Sequence, residues 1–211
     1  MSVKGKSPDK QANRSDTIHG IARELSGLSC IKRLDDVQLS DGLLSGSIKN
    51  AAIVACSDMG CSVPYVCSSP ALQLFLFQNF GHSCAIGGLV ETIVESRIEH
   101  VIVYGHSVCE YTRFLAESVF EQSQTDGIQP TEIKEQQQLY AAALQSNSEA
   151  LWEKVAQYNV LFEMKKLIAD PLIGSLAARG RFSLHGWFYS SLSNRLEVFD
   201  PKLEKFIAPH V

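Results

Sequence analysis

Ala51-Ala52-Ile53-Val54-Ala55-Cys56-Ser57-Asp58 opens the stretch that decides the fold, and Val101-Ile102-Val103-Tyr104-Gly105-His106-Ser107-Val108-Cys109 carries its close, with Tyr111 as the last residue. Each begins as a short apolar run and ends abruptly in polar or turn residues. Runs of this kind read as strands buried on both faces, as in a parallel sheet. The residues between them, Ala85 to Ile98, are long enough for a crossover helix. Ile86, Leu89, Val90, Ile93, Val94 and Ile98 recur there at helical spacing and predict one apolar face. The expected fold class is therefore α/β, with a central, mostly parallel sheet flanked by helices.

In an open α/β sheet, ligands bind beyond the carboxyl ends of the strands. Both runs put thiols there, and the second adds an imidazole. Cys56, His106 and Cys109 are a metal site in outline, because thiolate and imidazole are the ligands zinc prefers. Three protein ligands leave a fourth position for water, the arrangement of a catalytic site. His-x-x-Cys by itself also fits a half-buried thiol and a histidine bonded to backbone. The Cys-Ser-Asp at the other strand end turns the reading toward the metal.

With these motifs in place, the chain resembles the β-class carbonic anhydrases. That family carries Cys-Ser-Asp-Ser-Arg after one strand and Gly-His-Ser-x-Cys-Gly-Gly after another. Here the corresponding stretches are CSDMG, Cys56 to Gly60, and GHSVCEY, Gly105 to Tyr111. LFLFQNFGH, Leu74 to His82, resembles the family's Leu-Phe-Val-x-Arg-Asn strand. LHGWFYSSLSNRLEVFDP, Leu184 to Pro201, is similar to its closing Leu-His-Gly-Trp strand and hairpin. The resemblance runs from about Ile18 to Pro209. It implies a Zn2+ cofactor on Cys56, His106 and Cys109, a catalytic Asp58, and reversible hydration of CO2 to bicarbonate. It also implies self-association as a dimer or a higher even oligomer, in which N-terminal helices pack on a partner subunit.

Departures from the pattern border the implied site. Gly60 stands where the family has the arginine that pairs with the aspartate and keeps it off the metal. Gln78 replaces the arginine before the asparagine of the next strand. Glu110 and Tyr111 replace the two glycines after the last ligand. An unpaired Asp58, with Glu110 as a second acid, adds negative charge beside a metal whose charge two thiolates already cancel. Either that charge raises the pKa of bound water, or Asp58 fills the fourth position, as in the family's closed form. Both predict reduced hydration activity. Arg97 and Arg113 are the candidate replacements for the missing cation. The alternative function is a catalytically inactive zinc-binding homologue acting as a structural or regulatory subunit. A thiol-redox or metal-storage role rests only on six cysteines and lacks a Cys-x-x-Cys motif.

The rest of the chain reads in order as follows. Residues 1–16 are a polar arm, expected to be disordered, and 17–211 form a single domain with a helix near its start. Asp16 is placed to cap that helix from Thr17, and Ile18, Ile21, Ala22, Leu25 and Leu28 share one face of it. That face fits a partner subunit or the chain's own core equally well. Lys32 to Lys49 reads as a polar connection. Gly60 to Pro70 is loop by composition, and Cys61 within it reads as a small buried side chain rather than a redox partner or substitute ligand. Ala71 to Phe80 reads as a buried strand. His82 and Cys84 lack the further ligands a second metal site needs. Glu110 to Ser123 reads as a helix burying Phe114, Leu115, Val119 and Phe120. A loop to Pro130 follows, then a polar segment from Thr131 whose Tyr140, Ala143 and Leu144 face inward. A long helix begins near Ser148, with Met164 as core filling, and a shorter one runs from Pro171 to Ala178. Phe182 to Tyr189 and Arg195 to Phe199 read as two strands around Ser193-Asn194, with His185 a satisfied sheet histidine.

Composition excludes other classes. The net charge of −4 gives no nucleic-acid footprint. No apolar run approaches the roughly 20 residues of a membrane span. The charged N-terminus lacks the apolar segment of a secretory signal. Six cysteines without a framework read as reduced thiols in a cytoplasmic protein. No Gly-x-Gly-x-x-Gly follows a strand, which argues against dinucleotide binding.

Overall fold

The computed structural model describes residues 16–45, 47–59, 73–79, 86–123, 131–146 and 148–209. The polar arm lies almost wholly outside the described residues, as do Gly60, Cys61, Cys67, His82, Cys84 and the loop before Thr131. The strands are β1 (Asn50–Cys56), β2 (Gln73–Asn79), β3 (His100–His106), β4 (Ser183–Ser190), β5 (Arg195–Asp200) and β6 (Lys205–Ile207). They form one sheet in the order β2-β1-β3-β4-β5-β6. The first four are parallel, and β5 and β6 complete the sheet antiparallel.

β1 and β3 are buried from their second residue to their last. The reason is that the sheet has a core on each face. Ala52, Val54, Val101, Val103 and Leu184 point to one face, with Ile21, Leu25 and Met164. Ala51, Ile53, Ala55, Ile102 and Tyr104 point to the other, with Leu39 and Trp187. Two buried faces abolish the apolar–polar alternation of a half-exposed strand, and a continuous apolar run results.

The helices are α1 (Asp16–Ser26), α2 (Asp36–Ser45), α3 (Ile86–Glu95), α4 (Glu110–Ser123), α5 (Thr131–Ser146), α6 (Glu149–Ala169) and α7 (Pro171–Ala178). α6 buries Val160, Leu161 and Met164 against the sheet, and Val155 against Ala116 of α4 and Tyr140 and Ala143 of α5. α7 starts where Asp170 accepts from the N–H groups of Leu172 and Ile173 at 2.9 and 3.0 Å, with Pro171 in the first turn. Gly180, at φ 66°, follows its end.

Several expectations need correction. The segment from Lys32 to Lys49 is not merely a polar connection, because it contains α2. Asp35 and Gln38 exchange side chain-to-backbone hydrogen bonds at 3.1 and 2.8 Å, a capping box that starts this helix. Leu39 is then fully buried against the sheet. β2 is an edge strand rather than a buried one, and its Leu76 is 42% exposed. On α3, Val94 is exposed although it shares the predicted apolar stripe, and Phe114 on α4 is 58% exposed. Leu28 lies beyond the end of α1 and is also exposed. Ile21, Ala22 and Leu25 of the stripe pack on the chain's own core.

Candidate metal centre

The sheet topology makes a crevice at one place. The chain leaving β1 goes to β2 on one side, and the chain leaving β3 goes toward β4 on the other. Connections that diverge from adjacent parallel strands leave a gap beyond their carboxyl ends. Ala55 lies opposite Tyr104, so Cys56 and His106 finish neighbouring strands at this gap. Asp58 follows in a single 3-10 turn, Ser57–Met59, and Cys109 immediately precedes α4.

Cys56, Asp58, His106 and Cys109 therefore meet, with one donor atom from each lying within 4.8 Å of all the others. Cys56 and Cys109 are buried and their Sγ atoms are 3.8 Å apart. Two thiolates each about 2.3 Å from one tetrahedral zinc ion stand about 3.8 Å apart, so the sulfur pair fits that metal. The imidazole and carboxylate complete a donor set of the right chemistry. His106 Nε2 is 2.6 Å from Asp58 Oδ1. Asp58 Oδ2 accepts from the Glu110 backbone N–H at 2.8 Å. That N–H belongs to the first turn of α4, where the helix dipole favours an anion.

The electrostatics follow from this crowding. The Cys109 sulfur and burial push the Cys56 thiol up. The Cys56 contact, opposed by burial and helped by Thr112, lowers Cys109. Two thiols in contact ionise unequally, because the first anion accepts from the second thiol. Burial works against charge on His106, but Cys56 and Asp58 override it and raise its pKa. Burial also opposes charge on Asp58, yet Cys56, His106 and the Glu110 N–H hold its carboxyl below the usual range. A metal displaces such protons, since it binds thiolate, neutral imidazole and carboxylate.

The departing residues surround this cluster unevenly. Glu110 is exposed and Tyr111 half-buried at the start of α4. Gln78 is exposed on β2, beside Ala55 and one place short of the Cys56 row. Gly60 lies outside the described residues. Neither Arg97 nor Arg113 pairs with Asp58, whose ion-pair partner among the described residues is His106. Arg113 instead lies over the Trp152 ring, 5.5 Å from its centroid.

Sequence reasoning missed what lies behind the ligand loop. Ser107 Oγ donates to Glu153 Oε1 at 2.9 Å, and Ser190 Oγ donates to the same oxygen at 2.6 Å. The one sequence signal for Ser107 is its place between two candidate ligands. Nothing in the sequence marks Glu153, a charged residue on a long helix, as its partner.

The comparisons agree with this architecture. The family model described as carbonic anhydrase matches residues 51–195. A carbonic anhydrase of Synechocystis sp. is 27% identical over 184 residues, covering 81% of this chain and 67% of that protein. A carbonic anhydrase of Pseudomonas aeruginosa is 22% identical over 181 residues, covering 81% of this chain and 82% of that one. Among solved structures, the β-carbonic anhydrase CcaA gives a TM-score of 0.57 at 24% identity, covering 83% of this chain and 84% of the other. A β-carbonic anhydrase of the filamentous ascomycete Sordaria macrospora, one of two tetrameric ones, gives 0.50 at 20% identity over 74% and 83% of the two chains. Structural likeness at such identity speaks for the fold.

Proposed function

Because this chain belongs to the β-class carbonic anhydrase family, we propose that it holds one zinc ion on Cys56, His106 and Cys109 and converts CO2 reversibly to bicarbonate. The observation that carries this reading is the convergence of those donors and Asp58 at the gap between β1 and β3. Zinc, when bound, supplies the Lewis acidity that brings the pKa of water down toward about 7 and makes it a nucleophile for CO2. Cys56 and Cys109 contribute two thiolates, which balance the dication, and His106 contributes a neutral nitrogen. Asp58 is an acceptor held in place from behind by the Glu110 N–H, so it can receive a proton-bearing group in the crevice. Self-association as a dimer or higher even oligomer, and a cytoplasmic location, are part of the same reading.

The activity we propose is a reduced one. Gly60 stands where relatives of this family carry the cation for Asp58, and no arginine takes over that role among the described residues. Uncompensated negative charge opposes ionisation of water in the crevice. Hydration is then slow near neutral pH and rises with pH. A second reading, a zinc-holding subunit without hydration activity, is favoured by the 2.6 Å approach of Asp58 Oδ1 to His106 Nε2. It puts a carboxylate on the ligating side of the imidazole.

Metal analysis of the purified protein should give about one zinc per chain, lost in Cys56→Ser and in His106→Ala. Full zinc retention in both variants would overturn the ligand assignment. Stopped-flow CO2 hydration across pH then separates the two readings. Wild type should be slow at neutral pH, Gly60→Arg should recover part of the activity, and Gly60→Arg/Glu110→Gly should recover more than either single change. Zinc-loaded protein inactive at every pH would favour the subunit reading. Fast wild-type turnover at neutral pH would refute the argument from Gly60.

A further inference from the structure

We infer that Glu153 is a positioning residue for the metal centre: its carboxylate, on α6, holds the turn between His106 and Cys109 in ligating geometry. The inference rests on the zinc assignment proposed above, and adds to it a residue far from the motifs. Ser107 is the first residue of that turn and is buried, as is Ser190 at the end of β4. A buried hydroxyl needs an acceptor. Glu153 Oε1 serves both, at 2.9 Å from Ser107 Oγ and 2.6 Å from Ser190 Oγ, and the Leu192 N–H points to it at 3.4 Å.

Ser107 is bound on its other sides as well. Its Oγ accepts from the Ser191 N–H at 2.6 Å, and its own N–H donates to the Tyr189 carbonyl at 3.0 Å. The Tyr189 carbonyl also lies 3.0 Å from Ser107 Oγ, so the hydroxyl proton has two acceptors within reach. The carboxylate is the stronger of them. The ligand turn, the β4–β5 hairpin and α6 are thus joined at one oxygen atom.

Packing does not duplicate this anchor. Behind the turn lies a cleft of about 310 Å³, bordered by Val108, Cys109, Trp152, Glu153 and Leu192. Val108 is 61% exposed and Leu192 51%. The turn therefore has room to retreat on this side if the carboxylate is removed. α6 itself stays docked without Glu153. Gln157, one helical turn on, donates to Glu197 Oε2 at 2.9 Å, and the apolar face of the helix is buried in the core. Loss of Glu153 should loosen the ligands while leaving the fold in place.

Hydrogen-bonded groups behind metal ligands commonly change metal affinity by about 10- to 100-fold when removed. The test measures zinc affinity by chelator competition, and the visible ligand-field bands after cobalt(II) replaces zinc, in the full chain. Glu153→Ala should weaken zinc binding by about 10- to 100-fold and shift or broaden the cobalt bands. Glu153→Gln keeps an acceptor oxygen and should restore most of both signals. Ser107→Ala should reproduce the loss, and Glu153→Ala/Ser107→Ala should add little to either single change. A folded Glu153→Ala with wild-type zinc affinity and cobalt bands would overturn the inference, even if its melting temperature fell. Should Glu153→Ala fail to fold, unchanged zinc affinity in Ser107→Ala would overturn it equally. Wild-type protein that takes up no zinc would overturn the ligand assignment and this inference together.

Discussion

His185 shows how a single buried residue sets the response of the fold to acid. Its Nδ1 lies 2.6 Å from the Lys32 carbonyl, which accepts only, so that nitrogen carries the hydrogen. Its Nε2 is then the acceptor for His100 Nδ1–H, 3.0 Å away. Protonating His185 would set two N–H groups against each other inside the sheet. Burial comes first among the causes that bring its pKa down to about 3, with the His100 and Lys32 charges adding to it and the Lys32 carbonyl opposing. The unfolded chain takes up that proton near pH 6.5, the ordinary value. The depressed pKa therefore favours the folded state fully only above about pH 6.5, and stability falls as the pH drops through that point toward 3. Its share of the loss between pH 8 and pH 5 should be about 2 kcal/mol. Urea unfolding of wild type and His185→Gln at both pH values checks this: the wild type should lose more, and parallel losses would show that His185 is not the source. That His185 is a satisfied sheet histidine was legible in its place inside the run from Phe182 to Tyr189. Its partner was not, because His100 belongs to another strand and only the parallel register brings the two together.

Whole elements were legible where the apolar pattern was long or the punctuation strong. α4 and α7 have the bounds expected of them, and β1 and β3 agree to within a residue or two at each end. α2 escaped because its few leucines are interspersed with Asp, Gln, Ser and Gly, and among its described side chains Leu39 is the one in the core; the signal available was the Asp35-x-x-Gln38 capping box rather than any stripe. β6 is three residues long and has too little pattern to read. The exposure of Phe114 and Val94 reflects a helix stripe drawn wider than the surface it covers. One close contact between elements is also absent from any periodicity. At Gly186 in β4, a Cβ would sit 2.9 Å from Met164 Sδ and 3.2 Å from Phe199 Cβ. Met164 is fully buried and Phe199 nearly so, so neither has free space to enter. Gly186→Ala should therefore overpack the seam between α6 and the sheet and cost about 1–3 kcal/mol. A urea midpoint unchanged from wild type would show that the seam yields more readily than this packing implies.

At the scale of the whole molecule, the position of the candidate site was readable before the fold, because ligand-type residues stood at two strand ends. The support of the site was not, since Glu153 reaches Ser107 across 46 residues of chain. The same distinction applies to self-association. The apolar stripe of α1 offered a surface for a partner, but Ile21, Ala22 and Leu25 are spent on the chain's own core. A different surface takes over the argument. β2 ends the sheet, with β1 as its one hydrogen-bonded neighbour among the described residues. It is seven residues long, Leu76 is 42% exposed, and Phe75 and Phe77 are only partly buried. An apolar edge strand of this length is a template for pairing unless something covers it. A second copy can do so under twofold symmetry, presenting β2 to β2, and two such pairs can build a larger even assembly. Sedimentation at micromolar concentration should therefore give a mass of at least twice the 23.2 kDa of one chain. Leu76→Lys should shift the population toward monomer, since a lysine on an edge strand disfavours pairing. A wild-type protein that sediments as a folded, zinc-loaded monomer would contradict the assembly. An even oligomer indifferent to Leu76→Lys would move the interface away from β2.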